Sequence, residues 1–473
     1  VELALIVIAQ IFASLLGRAI LRFFFYKEIR KFALAEKIAL YYVIGMGLIP
    51  LYMMLLNCFG MKFSISTIYL PCALIIVFET LHHTSRKPTL TGAQNSSRSR
   101  VRIDPVNAFL SLGIFFVVFY SFFTGLVKPI ASFDSVASFA IKAKIFFLGA
   151  GIPRGFFENL AQNFPHPRFP LMIPLQETFC FISMGSFNDI LVKMIFPAHF
   201  LAFAALFYFG LKELTGKRCA LIFTFLLCSI NEVSRFSAVG YTDIHFSLYL
   251  FVGFIYWYRF ATTASGGALF SLFIPAVFSA FAIFTKDTGF IVPFLFLLLF
   301  VLYSKERKEG KGAILAYVRY LALLIFLILS WLFVRLAPES THRLMTLNAL
   351  NPAYLVSAFM DRILPVLYEF QVNVFNPKRW NLLWPIFIVL FILNYKWSLR
   401  TRLKYITVFI TSIFLLYLFF YITVEPSAFG YGKVYAQSLR SGMNRHLIHV
   451  TPFAVLWLAL IFKKMCESKK EKA

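Results

Sequence analysis

The chain has 473 residues, of which 60% are apolar, 19% aromatic and 14% charged, and its mean hydropathy is +0.77; a water-soluble globular protein carries roughly 25% charged residues, so that class is excluded. The 46 Lys and Arg against 21 Asp and Glu give a net charge of +25. These charges punctuate apolar runs close to the ~20 residues a bilayer crossing needs, which excludes nucleic acid as their partner and leaves an all-α polytopic membrane protein.

In chain order, apolar runs at 2–17, 39–58, 66–82, 107–127, 188–211, 219–232, 243–259, 268–285, 288–303, 314–335, 381–395, 405–424 and 447–462 predict about thirteen crossings, to within two. No basic region precedes the first run, and Arg18 and Arg22 follow it, which predicts an uncleaved first span with its N-terminus outside. Basic clusters at Arg18 to Lys37, Arg86 to Arg102, Lys212 to Arg218, Lys305 to Lys311, Lys396 to Lys404 and Lys463 to Lys472 then all fall on one side. The positive-inside rule makes that side cytoplasmic.

The layout divides the chain into a three-span extension (1–83), a flexible Ser/Thr/Arg-rich cytoplasmic linker (84–105), a transmembrane core (107–335) and C-terminal spans with a cytoplasmic tail (381–473). Three long extracytoplasmic segments are expected: 128–187 within the core, 336–380, and 425–446. Inside the first, Pro170 to Gly185 is apolar but short and carries prolines at 170 and 174, so it is expected to form a membrane-surface or re-entrant helix. The six cysteines are scattered without a CxxC pair and suggest neither a disulfide framework nor a zinc site.

Ionisable residues gather in the expected outer segments. Asp134, just after the fourth run, reads either as a helix N-cap or as a carboxylate whose partial desolvation raises its basicity. Lys142 and Lys144 follow on one helix, ~200° apart, so they cannot share a face. Three prolines within six residues stiffen the chain around His166 and Arg168, which reads as a rigid turn or as an anion-directed pair. Asp243 opens the seventh run, Lys286 and Asp287 form the turn between the eighth and ninth, and Arg445, His446 and His449 stand at the start of the last. Lys286 and Asp287 could pair with each other, but ionisable residues between apolar spans are functional candidates by default.

These motifs resemble the GT-C superfamily of polytopic glycosyltransferases, most nearly its bacterial protein-mannosyltransferase-like and lipid A aminoarabinose-transferase-like members. The likeness rests on Asp134 before Lys142-Ala143-Lys144, on His166-Pro167-Arg168-Phe169-Pro170-Leu171, on Gly240-Tyr241-Thr242-Asp243, on Thr285-Lys286-Asp287-Thr288-Gly289, and on Arg445-His446-Leu447 with His449 and Pro452. It covers residues 107–460. Val136 and Phe139 stand where tryptophans are usual, and Thr288 where a Glu is usual.

The resemblance implies a GT-C fold and transfer of a sugar from a polyprenyl-phosphate donor to a lipid, glycan or protein acceptor, by a single inverting displacement on the extracytoplasmic face of a bacterial inner membrane. Asp134 would be the catalytic base. Lys286, Arg445, Lys142 and Lys144 would bind the donor phosphate, and His166, Arg168, Asp243, Asp287, His446 and His449 would position donor and acceptor. No cofactor is expected, and no metal, because the outer segments hold no Asp-x-Asp or Glu-x-Asp pair. A transporter or flippase for lipid-linked sugars is the rival of another class, although no internal repeat is evident. An O-antigen ligase or polymerase is the rival within the enzyme class.

Overall fold

A computed structural model describes residues 1–85, 104–157, 169–263, 268–308, 310–335, 351–423 and 435–470. The described residues form helices and no strand: α1 (Glu2–Ile29), α2 (Leu34–Cys58), α3 (Ile65–Ser85), α4 (Pro105–Val127), α5 (Ile141–Leu148), α6 (Met172–Met184), α7 (Ile195–Thr215), α8 (Lys217–Cys228), α9 (Asn231–Phe236), α10 (Asp243–Thr263), α11 (Ala268–Thr285), α12 (Val292–Arg307), α13 (Gly310–Arg335), α14 (Pro352–Val374), α15 (Pro377–Trp380), α16 (Leu383–Arg400), α17 (Lys404–Thr423) and α18 (Tyr435–Lys470). The protein is an all-α membrane protein.

Among the described residues, nine helices are long and apolar enough to cross a membrane: α1 to α4, α7, α12, α13, α17 and α18. The other four sequence-predicted runs also lie on helices, namely α8, α10, α11 and α16. Of these, α8 has only twelve residues, ~18 Å of rise against a hydrocarbon core of ~30 Å. The outer face of α4 is apolar, with Phe109, Phe115, Phe116, Phe119 and Phe123 all exposed, as a lipid-facing side requires.

Local sequence sets the helix ends. Asp104 caps α4 by accepting the Val106 N–H at 3.0 Å, and Asn351 caps α14 by accepting the Ala353 N–H at 3.0 Å. Each is followed by a proline at the first helical position, where the missing N–H costs nothing. The α1–α2 crossing depends on glycine. A Cβ at Gly17 would lie 2.0 Å from the Tyr41 carbonyl oxygen, and one at Gly45 would lie 1.7 Å from that of Ala13, so only hydrogen permits this approach.

Helix α10 is the central element, buried from Thr242 to Tyr258 and packed on α7, α11 and α18. Its far end is tied by charge. Arg259 donates to Glu36 of α2 at 3.0 Å and to the Phe209 carbonyl at 2.6 Å, and it pairs with Glu213 of α7 at 3.0 Å. The N-terminal helices are part of this core: α2 packs on α6, α7 and α13, and Tyr42 bonds His199 of α7 at 3.1 Å.

The structure adds detail to three sequence expectations. Helix α1 does not stop at residue 17 but runs on to Ile29, because Arg18 and Arg22 pair with Glu79 of α3 at 3.6 and 3.2 Å and so remain inside the helical packing. Helix α6, expected at the membrane surface or re-entrant, is buried at every residue except Ser183, against α1, α2, α5 and α11, which leaves it no lipid-facing side. The expected outer segment 336–380 contains the 23-residue helix α14. The linker 84–105 falls mostly outside the described residues, as do 336–350 and much of 425–446.

Candidate functional site

Five of the sequence-predicted residues, from distant parts of the chain, meet at one end of the bundle. Asp243 is the first residue of α10 and is fully buried. Its Oδ1 accepts from Lys286 Nζ at 2.5 Å and its Oδ2 from Arg445 Nε at 2.9 Å. A terminal guanidinium nitrogen of Arg445 donates to Asp134, just before the π-helical turn Ser135–Ala140 that leads into α5. Two carboxylates thus offset two cations in a network largely withdrawn from water, which is what keeps so much charge tolerable at the end of an apolar bundle.

The turn that presents Lys286 is fixed by packing. A Cβ at Gly289 would lie 2.5 Å from the Ala282 carbonyl oxygen, so glycine alone lets the chain fold back on α11. Burial pushes the Lys286 ammonium down to about 8, against the opposing pull of Asp243. The Arg445 guanidinium lies over the Tyr241 ring, 4.8 Å from its centroid.

His449, one turn after Arg445, completes the cluster. Its Nε2 is 3.2 Å from Asp243 Oδ1 and its Nδ1 is 2.8 Å from the Tyr417 hydroxyl. Its Nε2 also lies 3.3 Å from Lys286 Nζ, so the ring is held among the carboxylate, the ammonium and the tyrosine hydroxyl. His446 stacks on Tyr417, with centroids 4.3 Å apart and planes 16° apart, and its Nδ1 bonds the Tyr421 hydroxyl.

Other predicted residues stand apart. Asp134 makes no capping hydrogen bond, so the N-cap reading gives way to its pairing with Arg445. Lys286 pairs with Asp243 rather than with its neighbour Asp287, whose charge instead acts on Lys142. Lys142 is buried, with its ammonium pushed down to about 7 by that burial, and lies 5.6 Å from the centroid of Phe169. Lys144 points the other way, exposed and over Phe187 at 4.7 Å, as the ~200° offset requires. His166 and Arg168 lie outside the described residues. Among the described residues, no group of three or more His, Cys, Asp or Glu is placed to hold a metal ion.

Beside the cluster lies an apolar groove of about 330 Å³. Its walls come from α14, α16, α17 and α18, with Phe370, Trp384, Phe387 and Phe414 along its length and Tyr417, Tyr421 and His446 at the charged end. Sequence reasoning did not locate this groove and missed both tyrosines. The signal available was their spacing, four residues apart on one face of α17.

The class these observations define is an all-α membrane protein whose buried ionic cluster adjoins an apolar groove. Compared with known protein families, characterised proteins and solved structures, the chain matches none.

Proposed function

We propose that this protein is an integral membrane glycosyltransferase that moves a sugar from a polyprenyl-phosphate donor to an acceptor on the extracytoplasmic side of a bacterial inner membrane, with a GT-C-like mechanism. The observation that carries the reading is the junction of groove and cluster: His446 lines the apolar groove, while the adjacent Arg445 holds both carboxylates. An amphiphile with a long apolar tail and an anionic head matches that junction on both counts.

In this reading the tail lies along Phe414 and Phe387, and the phosphate meets Arg445 and Lys286. Its arrival displaces Asp134 from the guanidinium, and the freed carboxylate takes the acceptor hydroxyl proton. The acceptor oxygen forms a bond to the anomeric carbon as the bond from that carbon to the phosphate oxygen breaks, with inversion. The electron pair leaves with the phosphate, where the two fixed cations stabilise it. His449, held between Asp243 and Tyr417, keeps the buried carboxylate aimed at both cations.

The test is release of polyprenyl phosphate from a labelled polyprenyl-phosphate-sugar in proteoliposomes that contain the purified chain and an envelope-lipid acceptor fraction. Acceptor-dependent release supports transfer. Movement of intact donor across the membrane without cleavage would establish the transporter instead.

A further inference from the structure

We propose a second lipid site, for an anionic phospholipid of the bilayer, on the other face of α16 and independent of the glycosyltransferase reading. One face of α16 (Trp384, Phe387) lines the groove described above, and the opposite face (Leu383, Ile386, Leu390) lines a second apolar groove of about 370 Å³. Phe223 and Leu226 of α8 and Leu458, Ile461 and Phe462 of α18 complete its walls. The groove exists because α8 ends early: twelve residues give ~18 Å of helix, too little to cover its neighbours across a ~30 Å hydrocarbon core. A single acyl chain fits such a slot.

The head of the groove is basic and holds an idle donor. Trp380, at the end of α15, lines the groove with its side chain fully buried, and its indole N–H has no hydrogen-bond partner. A buried donor without an acceptor is costly, and a phosphate or ester oxygen would satisfy it. Lys378 and Arg379 precede it in α15, and Arg379 shares the carboxylate of Glu232 with Arg235, at 3.6 and 2.7 Å. Lys378 is exposed, and its backbone carbonyl is tied to Asn231 of α9 at 2.9 Å, which fixes the basic turn over the groove. The patch carries a surplus of positive charge. It lies at the same end of the bundle as Arg445, because Glu369 of α14, just upstream of α15, accepts from Arg440 of α18 through both carboxylate oxygens at 2.9 Å. A zwitterionic lipid would satisfy the groove but not that surplus, so the occupant is anionic.

Native mass spectrometry of the full chain in mild detergent, titrated with dioleoyl phosphatidylglycerol or dioleoyl phosphatidylcholine, tests this. The first phosphatidylglycerol should bind at least about fivefold more tightly than phosphatidylcholine, near the gain expected from one basic side chain. Lys378→Glu should erase that preference, Trp380→Phe should weaken phosphatidylglycerol binding several-fold, and Leu390→Trp should remove the tight site for both lipids. Equal binding of the two lipids by the unaltered chain overturns the proposal, as does an unchanged first binding step in Leu390→Trp. Should Leu390→Trp fail to fold, photo-crosslinking of the unaltered chain with a diazirine-acyl phosphatidylglycerol decides. Adducts within 381–392 and 458–465 support the site, and adducts confined to other helices refute it.

Discussion

Asp134→Asn separates the two parts that the proposed mechanism gives this residue. Asparagine keeps the size and an accepting oxygen but loses the charge, so the variant can neither take the acceptor proton nor compete electrostatically for Arg445. Loss of a general base costs ~10²- to 10⁴-fold in turnover. Donor binding should move the other way. Asp134 and Arg445 are 32% and 20% exposed at the side chain, so their pairing is screened well below the ~4 kcal/mol that two charges 4 Å apart have at an effective dielectric of 20, yet it is less open than a surface pair worth ~0–1 kcal/mol. Taking about 1 kcal/mol as the competition removed, the affinity for a polyprenyl phosphate should rise about fivefold. Calorimetric titration of both proteins with farnesyl phosphate in detergent measures the affinity, and single-turnover release of polyprenyl phosphate measures the chemistry. Weaker farnesyl phosphate binding in the variant, or turnover within about threefold of the unaltered enzyme, refutes the displacement of Asp134 by donor.

Three further outcomes follow from the cluster and the layout. Lys286, pushed down to about 8 by burial, is charged below that pH and neutral above it, so kcat/KM should fall as pH rises through about 8, and Lys286→Arg should carry the fall above pH 10; a profile unchanged by the substitution removes Lys286 from donor binding. Asp243→Asn leaves Arg445 and Lys286 with only the partly exposed Asp134, and should destabilise the protein by about 3 kcal/mol, read as a lowered thermal midpoint in detergent; an unchanged midpoint would mean that the buried carboxylate is not what holds the cations. Cysteines at positions 96 and 159, in a background without the native six, should be respectively protected from and labelled by a membrane-impermeant thiol reagent in intact cells; the reverse pattern turns the site to the cytoplasm and removes the polyprenyl-linked donor.

The all-α class and the grouping of the charged residues were legible in the sequence, and the partners and helix ends were not. Asp134, Asp243, Lys286 and Arg445 could be grouped because each stands at the end of a long apolar run, and alternation of runs sends such ends to a common side. Their actual partners were not legible. The choice of Lys286 for Asp243 over the adjacent Asp287 depends on how the turn folds back at Gly289, a tertiary matter. Helix ends were misjudged wherever a charge lies inside a helix and is paired across it. Arg18 and Arg22 look like the end of a span until Glu79 is seen facing them, and the charges of α14 look like loop until Glu369 is seen bonded to Arg440. Tyr417 was invisible for the opposite reason, since a tyrosine in an aromatic-rich run carries no mark that its hydroxyl meets a histidine.

Helix α10 is pinned at both ends, by Lys286, Arg445 and His449 on Asp243 and by Glu36, Glu213 and the Phe209 carbonyl on Arg259. Arg259 follows Asp243 by sixteen positions, ~24 Å along the helix axis. Removing either pin costs about 3–5 kcal/mol, since each removal leaves a buried charge without its partner. Helix α10 meets protein rather than lipid along that length, so the two pins act as dowels that fix its height against α7, α11 and α18.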